Sequence, residues 1–261
     1  MSDQPLSDRQ SNILKLLKDN GSVSVDFLSE AFAVTTQTIR RDVNRLGSLG
    51  LVQRFHGGVE LPRSPRNIAY GARKILNRRA KLSIAAHAAH HIPNHASVAF
   101  SIGTTPEIVA GALGGHDGLK VFTNNMNVAV AALKNPSSHV TIAGGRLRHD
   151  DCDVLGYRAE DFFRGYKFDI GIFGVAGVDS DGTLLDFHEE EVAARTAILK
   201  NCREAFLVLD SSKFGRQAHV RGGWITDVSK VFVDHAPPSA IVDCLNTSGT
   251  ELVICNQDLA A

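Results

Sequence analysis

Gln37, Arg40, Arg41 and Asn44 are separated by three, one and three positions, so on a helix they share one face. An arginine can donate two hydrogen bonds to a guanine edge, and glutamine or asparagine can pair with adenine, which is the chemistry of major-groove reading. Thr36, Thr38 and Arg45 lie on the same segment. Arg54 and His56 follow in a short extended stretch, from which they could meet phosphates or the minor groove.

A second group has different chemistry. Ser101, Gly103, Thr104 and Thr105 stand just ahead of Pro106, taken as the first position of a helix. Hydroxyls and unpaired backbone N–H groups at a positive helix end can hold an anion. Thr123 and Asn124, then Gly144 and Gly145, end two further apolar runs, and Asp210 and Lys213 follow a fourth. Singly these are ordinary capped turns. Together they suit a small phosphorylated polyol or sugar. Asp179, Asp181, Asp186 and Glu189 to Glu191 could furnish a general base for isomerisation. They read instead as a solvated loop and the acidic first turn of a helix. His87, His90 and His91 have helical ligand spacing but no acidic or cysteine neighbour close by, so no metal is expected. Cys152, Cys202, Cys244 and Cys255 form no CxxC pair, and no nucleophile triad or Walker loop appears. Neither a catalytic residue nor a cofactor is expected.

The elements that must position these residues carry start and stop signals. Ser7 and Gln10 make a capping box ahead of Ile13, Leu14, Leu16 and Leu17, and Gly21 closes that helix. Ser24 caps a second helix with Phe27, Leu28, Ala31 and Phe32 on one side. After the Ala33-Val34 turn, Thr35 caps a third helix reaching about Leu49, with Ile39, Val43 and Leu46 facing inward. Residues 51–59 form two extended runs about Gly57-Gly58, a wing. Residues 61–66 hold two prolines and two arginines, a composition for an extended connector. One helix is expected from about Arg73 to His91. From Ser97 onward short apolar runs (98–102, 120–122, 140–143, 169–178, 205–209, 231–234 and 252–255) alternate with helical patterns, including one near 190–201. That alternation predicts an α/β domain with a largely parallel sheet, whose ligands gather at the carboxyl ends of the strands.

Charge supports the division. The chain is 261 residues long and formally neutral, but residues 36–81 hold eleven Lys and Arg against Asp42 and Glu60, a local +9 balanced by −9 elsewhere. A basic zone beside an acidic body is expected of a polyanion-binding module joined to another domain. No apolar stretch approaches the length of a membrane span, and Asp3, Arg9, Lys15 and Asp19 interrupt the first twenty residues. A soluble, cytoplasmic chain without a membrane partner is expected.

Val34-Thr35-x-x-Thr38-Ile39-Arg40-Arg41-Asp42-Val43 and Arg54-x-His56-Gly57-Gly58 resemble the signature of DeoR-family repressors. Leu61-Pro62, residues 102–107, Thr123-Asn124-Asn125, Ala143-Gly144-Gly145, residues 181–185 and residues 212–216 run in the order seen in the members that govern glycerol-3-phosphate regulons. The resemblance implies a winged helix-turn-helix DNA-binding domain at 1–61, a linker at 62–72 and an α/β effector-sensing domain of the ribose-phosphate isomerase and CoA-transferase type at 73–261. It implies a metabolite-responsive transcriptional repressor of glycerol-3-phosphate uptake and catabolism genes. The implied partners are operator DNA and a small phosphorylated effector, glycerol 3-phosphate first. A homo-oligomer is expected, since such readers pair half-sites through symmetry. The alternatives are a repressor answering another sugar phosphate, and an isomerase-like enzyme with an accessory DNA-binding module. One segment departs from the family: where Phe-Asp-Tyr-x-Glu-Val-Arg is common, this chain has Phe187-His188-Glu189-Glu190-Glu191-Val192-Ala193.

Overall fold

The structure, a computed structural model, describes residues 5–55, 57–62 and 69–255. The chain divides into two compact units, Met1–Arg78 and Arg79–Ala261.

The first unit contains α1 (Asp8–Asn20), β1 (Ser22–Ser24), α2 (Val25–Ala31), α3 (Thr36–Ser48), β2 (Gln53–Phe55), β3 (Gly58–Glu60) and α4 (Tyr70–Ile75). Its caps are the anticipated ones. Ser7 and Gln10 satisfy each other's backbone N–H, and the Ser24 and Thr35 hydroxyls accept from Phe27 N and Thr38 N. The chain reverses between α2 and α3 with Ala33 at φ 51°, and Val34 N donates to Ser29 O at 3.1 Å. Ile13, Leu17, Leu28, Ile39, Val43, Leu46 and Val59 close a core in which none is more than 2% exposed. One polar group enters it. Asp42, buried on α3, accepts from Gln10 Nε2 at 2.8 Å and from Arg9 Nε at 2.6 Å, tying α3 to the start of α1.

Two expectations change here. The wing has three antiparallel strands in the order β1-β3-β2, because Ser22-Val23-Ser24 pairs with Gly58–Glu60. Three residues ending in a helix cap carry too little pattern to announce a strand. The helix expected over 73–91 is two, α4 and α5 (Arg78–His90). Leu76 is extended and Asn77 left-handed at φ 51°, which ends the first before the second begins.

In the second unit, α5 precedes β4 (Ser97–Phe100), α6 (Thr104–Gly111), β5 (Lys120–Thr123), α7 (Met126–Ala132), β6 (His139–Ile142), α8 (Tyr157–Arg164), β7 (Phe168–Phe173), β8 (Gly177–Val178) and β9 (Thr183–Asp186). Then come α9 (Glu189–Asn201), β10 (Cys202–Val208), β11 (Val220–Trp224), β12 (Lys230–Val233), α10 (Ser239–Ser248) and β13 (Glu251–Ile254). Seven strands form a wholly parallel sheet in the order β13-β12-β10-β7-β4-β5-β6. Successive strand residues face opposite sides, so Val98, Phe100, Ile170, Ile172, Phe206 and Phe232 pack under α5, α6 and α7. Ala99, Phe173, Leu207 and Val231 pack toward α8, α9 and α10. The run expected as one strand over 169–178 splits after Phe173. β8 leaves the large sheet and joins the antiparallel β11-β9-β8 ribbon, and α8, α10, β9 and β11 had no separate signal.

Asp42→Ala removes the acceptor of a buried amide and is expected to cost the first unit about 1 to 3 kcal/mol. Urea denaturation monitored by circular dichroism would measure it, and an unchanged midpoint would remove Asp42 as the α1–α3 tie.

Candidate functional site

On the winged unit, Gln37, Arg40, Arg41 and Asn44 are exposed along one side of α3, opposite Ile39, Val43 and Leu46. Arg54 on β2 reaches back so that Nη1 donates to Asn44 Oδ1 at 2.5 Å, which joins wing and helix in one polar surface. Thr36 and Thr38 are half-buried in the first turn, where the Thr38 hydroxyl lies 3.0 Å from that of Thr35. Arg45 turns toward the chain's start, donating to Pro5 O at 3.2 Å. His56 lies outside the described residues.

In the sheet unit, strand order reverses between β4 and β7, and connections leave these neighbours on opposite faces. A crevice at the carboxyl ends is the consequence. β4 delivers Ser101 into it, with Ser101 N donating to Ile172 O of β7 at 3.0 Å. Gly103, at φ 128°, precedes α6 in a backbone region that favours glycine, and supplies no side-chain cap. The first-turn N–H groups of α6 thus meet no capping side chain, beside buried Thr104 and Thr105. Pro106 is the third residue of α6 rather than the first, still within the turn where a missing N–H leaves no carbonyl unpaired.

Thr123 pairs in register with Phe100, so Asn124 follows one strand over from Ser101. Asn124 is fully buried: Nδ2 donates to Val154 O at 2.8 Å, and Oδ1 has no hydrogen-bond partner among the described residues. The Thr123 hydroxyl accepts from Asn125 N at 3.1 Å. Gly144 and Gly145 are exposed beyond the edge strand β6, where a Cβ on Gly145 would come within 2.7 Å of Val154. Asp210 and Lys213 lie past β10, two strand spacings, or about 10 Å, from β4. Asp210 is 2% exposed and accepts from Ser212 N at 3.2 Å, and Lys213 is half-buried. The structure therefore gathers Ser101, Gly103, Thr104, Thr105, Thr123 and Asn124 on adjacent strand ends and sets the remaining four further out on either side.

Three cations escaped the sequence. Lys81 of α5 is 3% exposed and donates from Nζ to Thr104 Oγ1 at 3.2 Å, adding a positive charge beside the positive end of α6. In sequence it is one more residue of a basic run. Arg148 binds Asp151, Asp153 and Glu191 at once: Nε and Nη2 donate to Asp153 at 2.9 and 2.8 Å, and Nη2 to Glu191 at 2.8 Å and to Asp151 at 3.1 Å. It links the loop after β6 to the start of α9. Burial pushes the Asp153 and Glu191 carboxyls above the usual carboxylate range, and Arg148 offsets part of that rise. Arg195 pairs with Asp186, donates to Gly222 O at 2.8 Å and lies 5.8 Å from the Phe173 ring centre. Asp186 and Glu191 are thus buried and paired, not solvated as their neighbours Asp179, Asp181, Glu189 and Glu190 are. His87 and His91 each engage a backbone carbonyl four residues back through Nδ1, at 2.9 Å, an ordinary helical arrangement.

Fold alone assigns no function, and the class comes from the two domain matches: a DNA-reading helix-turn-helix and a sensor domain in one chain are those of a transcription regulator. The chain belongs to the DeoR family: residues 9–65 match the DeoR-like helix-turn-helix domain, and residues 76–235 the DeoR C terminal sensor domain. It is 41% identical to the glycerol-3-phosphate regulon repressor of Escherichia coli K12, over 95% of this chain and 98% of that one. To the protein of the same name in Haemophilus influenzae it is 42% identical, over 95% and 96%. The transcriptional repressor CsqR of Escherichia coli K12 is 32% identical over 96% of each. Among solved structures, ribose 5-phosphate isomerase A of Methanocaldococcus jannaschii overlaps 54% of this chain and 56% of its own at 14% identity and a TM-score of 0.39.

Arg148→Met leaves three carboxylates without their shared cation, and is expected to destabilise the sheet unit by about 3 to 5 kcal/mol at pH 7. With the Asp153 and Glu191 pKa values raised in the folded state above the unfolded ones, the native state holds more protons, so the variant's stability rises as pH falls from 7 toward 5. Urea titrations at both values check this; equal deficits would contradict it.

Proposed function

We propose that this protein represses genes of glycerol 3-phosphate uptake and catabolism, and releases its operator when a small phosphorylated polyol, glycerol 3-phosphate first, occupies the sheet-edge crevice. The observation that carries the effector half is Lys81 Nζ at Thr104 Oγ1: an ammonium and a helix start supply two sources of positive potential at one point. Ser101, Gly103, Thr104 and Thr105 surround the phosphate in this reading, Thr123 and Asn124 face the polyol end, and Gly144, Gly145, Asp210 and Lys213 form the outer wall. The relatives named as glycerol-3-phosphate regulon repressors support the choice of polyol. Gln37, Arg40, Arg41 and Asn44 read bases, with Thr36, Thr38, Arg45, Arg54 and His56 at the backbone. The protein works as a cytoplasmic homo-oligomer without catalysis. Among the described residues no helix is long and apolar enough to cross a membrane.

A second reading keeps the repressor and changes the effector to another sugar phosphate. It is favoured by one observation: His188, Glu189 and Ala193 replace the family's Asp, Tyr and Arg, next to Glu191, which Arg148 holds.

Arg40→Ala or Arg41→Ala is expected to weaken operator binding by about 1 to 3 kcal/mol where the contact is bidentate to guanine. Fluorescence anisotropy against labelled operator measures this, and full affinity in both variants would remove α3 as the reader.

Lys81→Met and Thr104→Ala are expected to bind operator normally but to need at least tenfold more glycerol 3-phosphate for release, about 1.4 kcal/mol of lost effector binding. Gel shifts across a titration decide. Release at wild-type concentrations from both variants rejects the pocket; a wild type released only by a different sugar phosphate selects the second reading.

A further inference from the structure

The wing and α3 meet through one pair of polar side chains. In β2, Arg54 lies opposite Val59 of β3, and partners across an antiparallel pair project to the same face of the sheet. Val59 is fully buried in the core that Ile39, Val43 and Leu46 of α3 share, so the register turns Arg54 toward that helix as well. β2 is an edge strand, and Arg54 stays exposed there. Its guanidinium reaches Asn44 in the third turn of α3, with Nη1 donating to Oδ1 at 2.5 Å.

This bond decides what Asn44 has left to offer a base. A carboxamide that pairs with adenine uses both ends: its oxygen accepts from the base amino group, and its nitrogen donates to the ring nitrogen N7. Here a cation holds the oxygen, in a charge-assisted bond roughly twice as strong as one between neutral groups. An adenine amino group seeking the second lone pair would bring its own positive N–H ends against the guanidinium. Asn44 therefore presents Nδ2, which only donates. The major-groove edge richest in acceptors is that of guanine, with N7 and O6 side by side.

We propose that Arg54 is a positioning residue for operator reading: it holds the Asn44 carboxamide with the oxygen toward the wing, and so makes Asn44 select guanine over adenine. The inference rests on α3 as the reader, proposed above. It leaves Arg54 free to touch a phosphate too, since the guanidinium keeps further N–H donors.

The test uses the full chain and duplexes that the wild type selects from a randomised pool, with each base pair of a half-site then replaced in turn. Binding is read by fluorescence anisotropy. Asn44→Ala should flatten a guanine preference at one base pair. At that pair Arg54→Met, similar in length but without a donor, should shift the ratio of the two affinities about tenfold toward adenine. Its far-UV circular dichroism should match wild type. An Arg54 that only meets phosphate would weaken all duplexes alike and leave the preference in place, which overturns the inference. So does an Asn44→Ala protein that keeps every wild-type preference. Should Arg54→Met fail to fold, Asn44→Asp decides: a carboxylate keeps Arg54 but donates nothing, so guanine should give way to cytosine, whose amino group donates. A guanine preference that survives there rejects the pairing. Weakened Arg40→Ala and Arg41→Ala beside an unaltered preference in Arg54→Met removes the positioning role alone. A wild type that selects no sequence removes α3 as the reader, and the inference with it.

Discussion

The reversal of strand order between β4 and β7 is the constraint on which the sensor unit depends. Right-handed crossovers carry the chain outward from β4 through β5 to β6 with α6 and α7 on one face. The chain then returns past β4 and moves the other way, so α8, α9 and α10 fall on the opposite face. At the reversal neither connection covers the strand ends. Helix α6 begins there, and its close fit relies on glycine: a Cβ on Gly174 would stand 3.3 Å from Val208 O and 3.6 Å from Pro106. The same topology that buries the apolar strands thus leaves polar groups together at one edge.

Around that edge the structure spends charge inside the protein. Arg148 is held by Asp151 and Asp153 of its own loop and by Glu191 at the start of α9, and Arg195 within α9 is held by Asp186 of β9. Arg148 joins Glu191 to a loop that also closes on Asn124 and Asn125, through Val154 N to Asn124 O at 2.8 Å and Asn125 Nδ2 to Asp151 O at 2.9 Å. Arg195 joins Asp186 to the β11 backbone at Gly222, where a Cβ would collide with the guanidinium. Such pairs add little net stability over apolar packing, but each has one good geometry. They fix the position of α9 relative to the crevice more sharply than apolar contacts would.

The winged unit solves a different problem with the same means. α3 must expose one polar side and bury the other, and Asp42 locks its rotation by accepting from two residues of α1. The basic run that spans residues 36–81 is divided between the two units: Arg40 and Arg41 are exposed on α3, while Lys81 is buried in the second unit beside Thr104.

Caps, helix periods and the α/β alternation were legible in the sequence, because each depends on residues within about four positions of one another or on the side-chain alternation of a strand. Ser7 with Gln10, Thr35 with Thr38, the inward Ile39, Val43 and Leu46, and the strand-end motifs at Ser101 and Thr123 all belong to that local class. The tertiary structure alone decided which of three consecutive glutamates is buried, that Asp186 meets Arg195, that Lys81 leaves its basic run for Thr104, and that 169–178 divides between two sheets. The reason is physical. A buried charge is tolerated only beside a partner, and partners such as Arg148 and Glu191, 43 positions apart, are chosen by how the elements pack rather than by anything written near either residue.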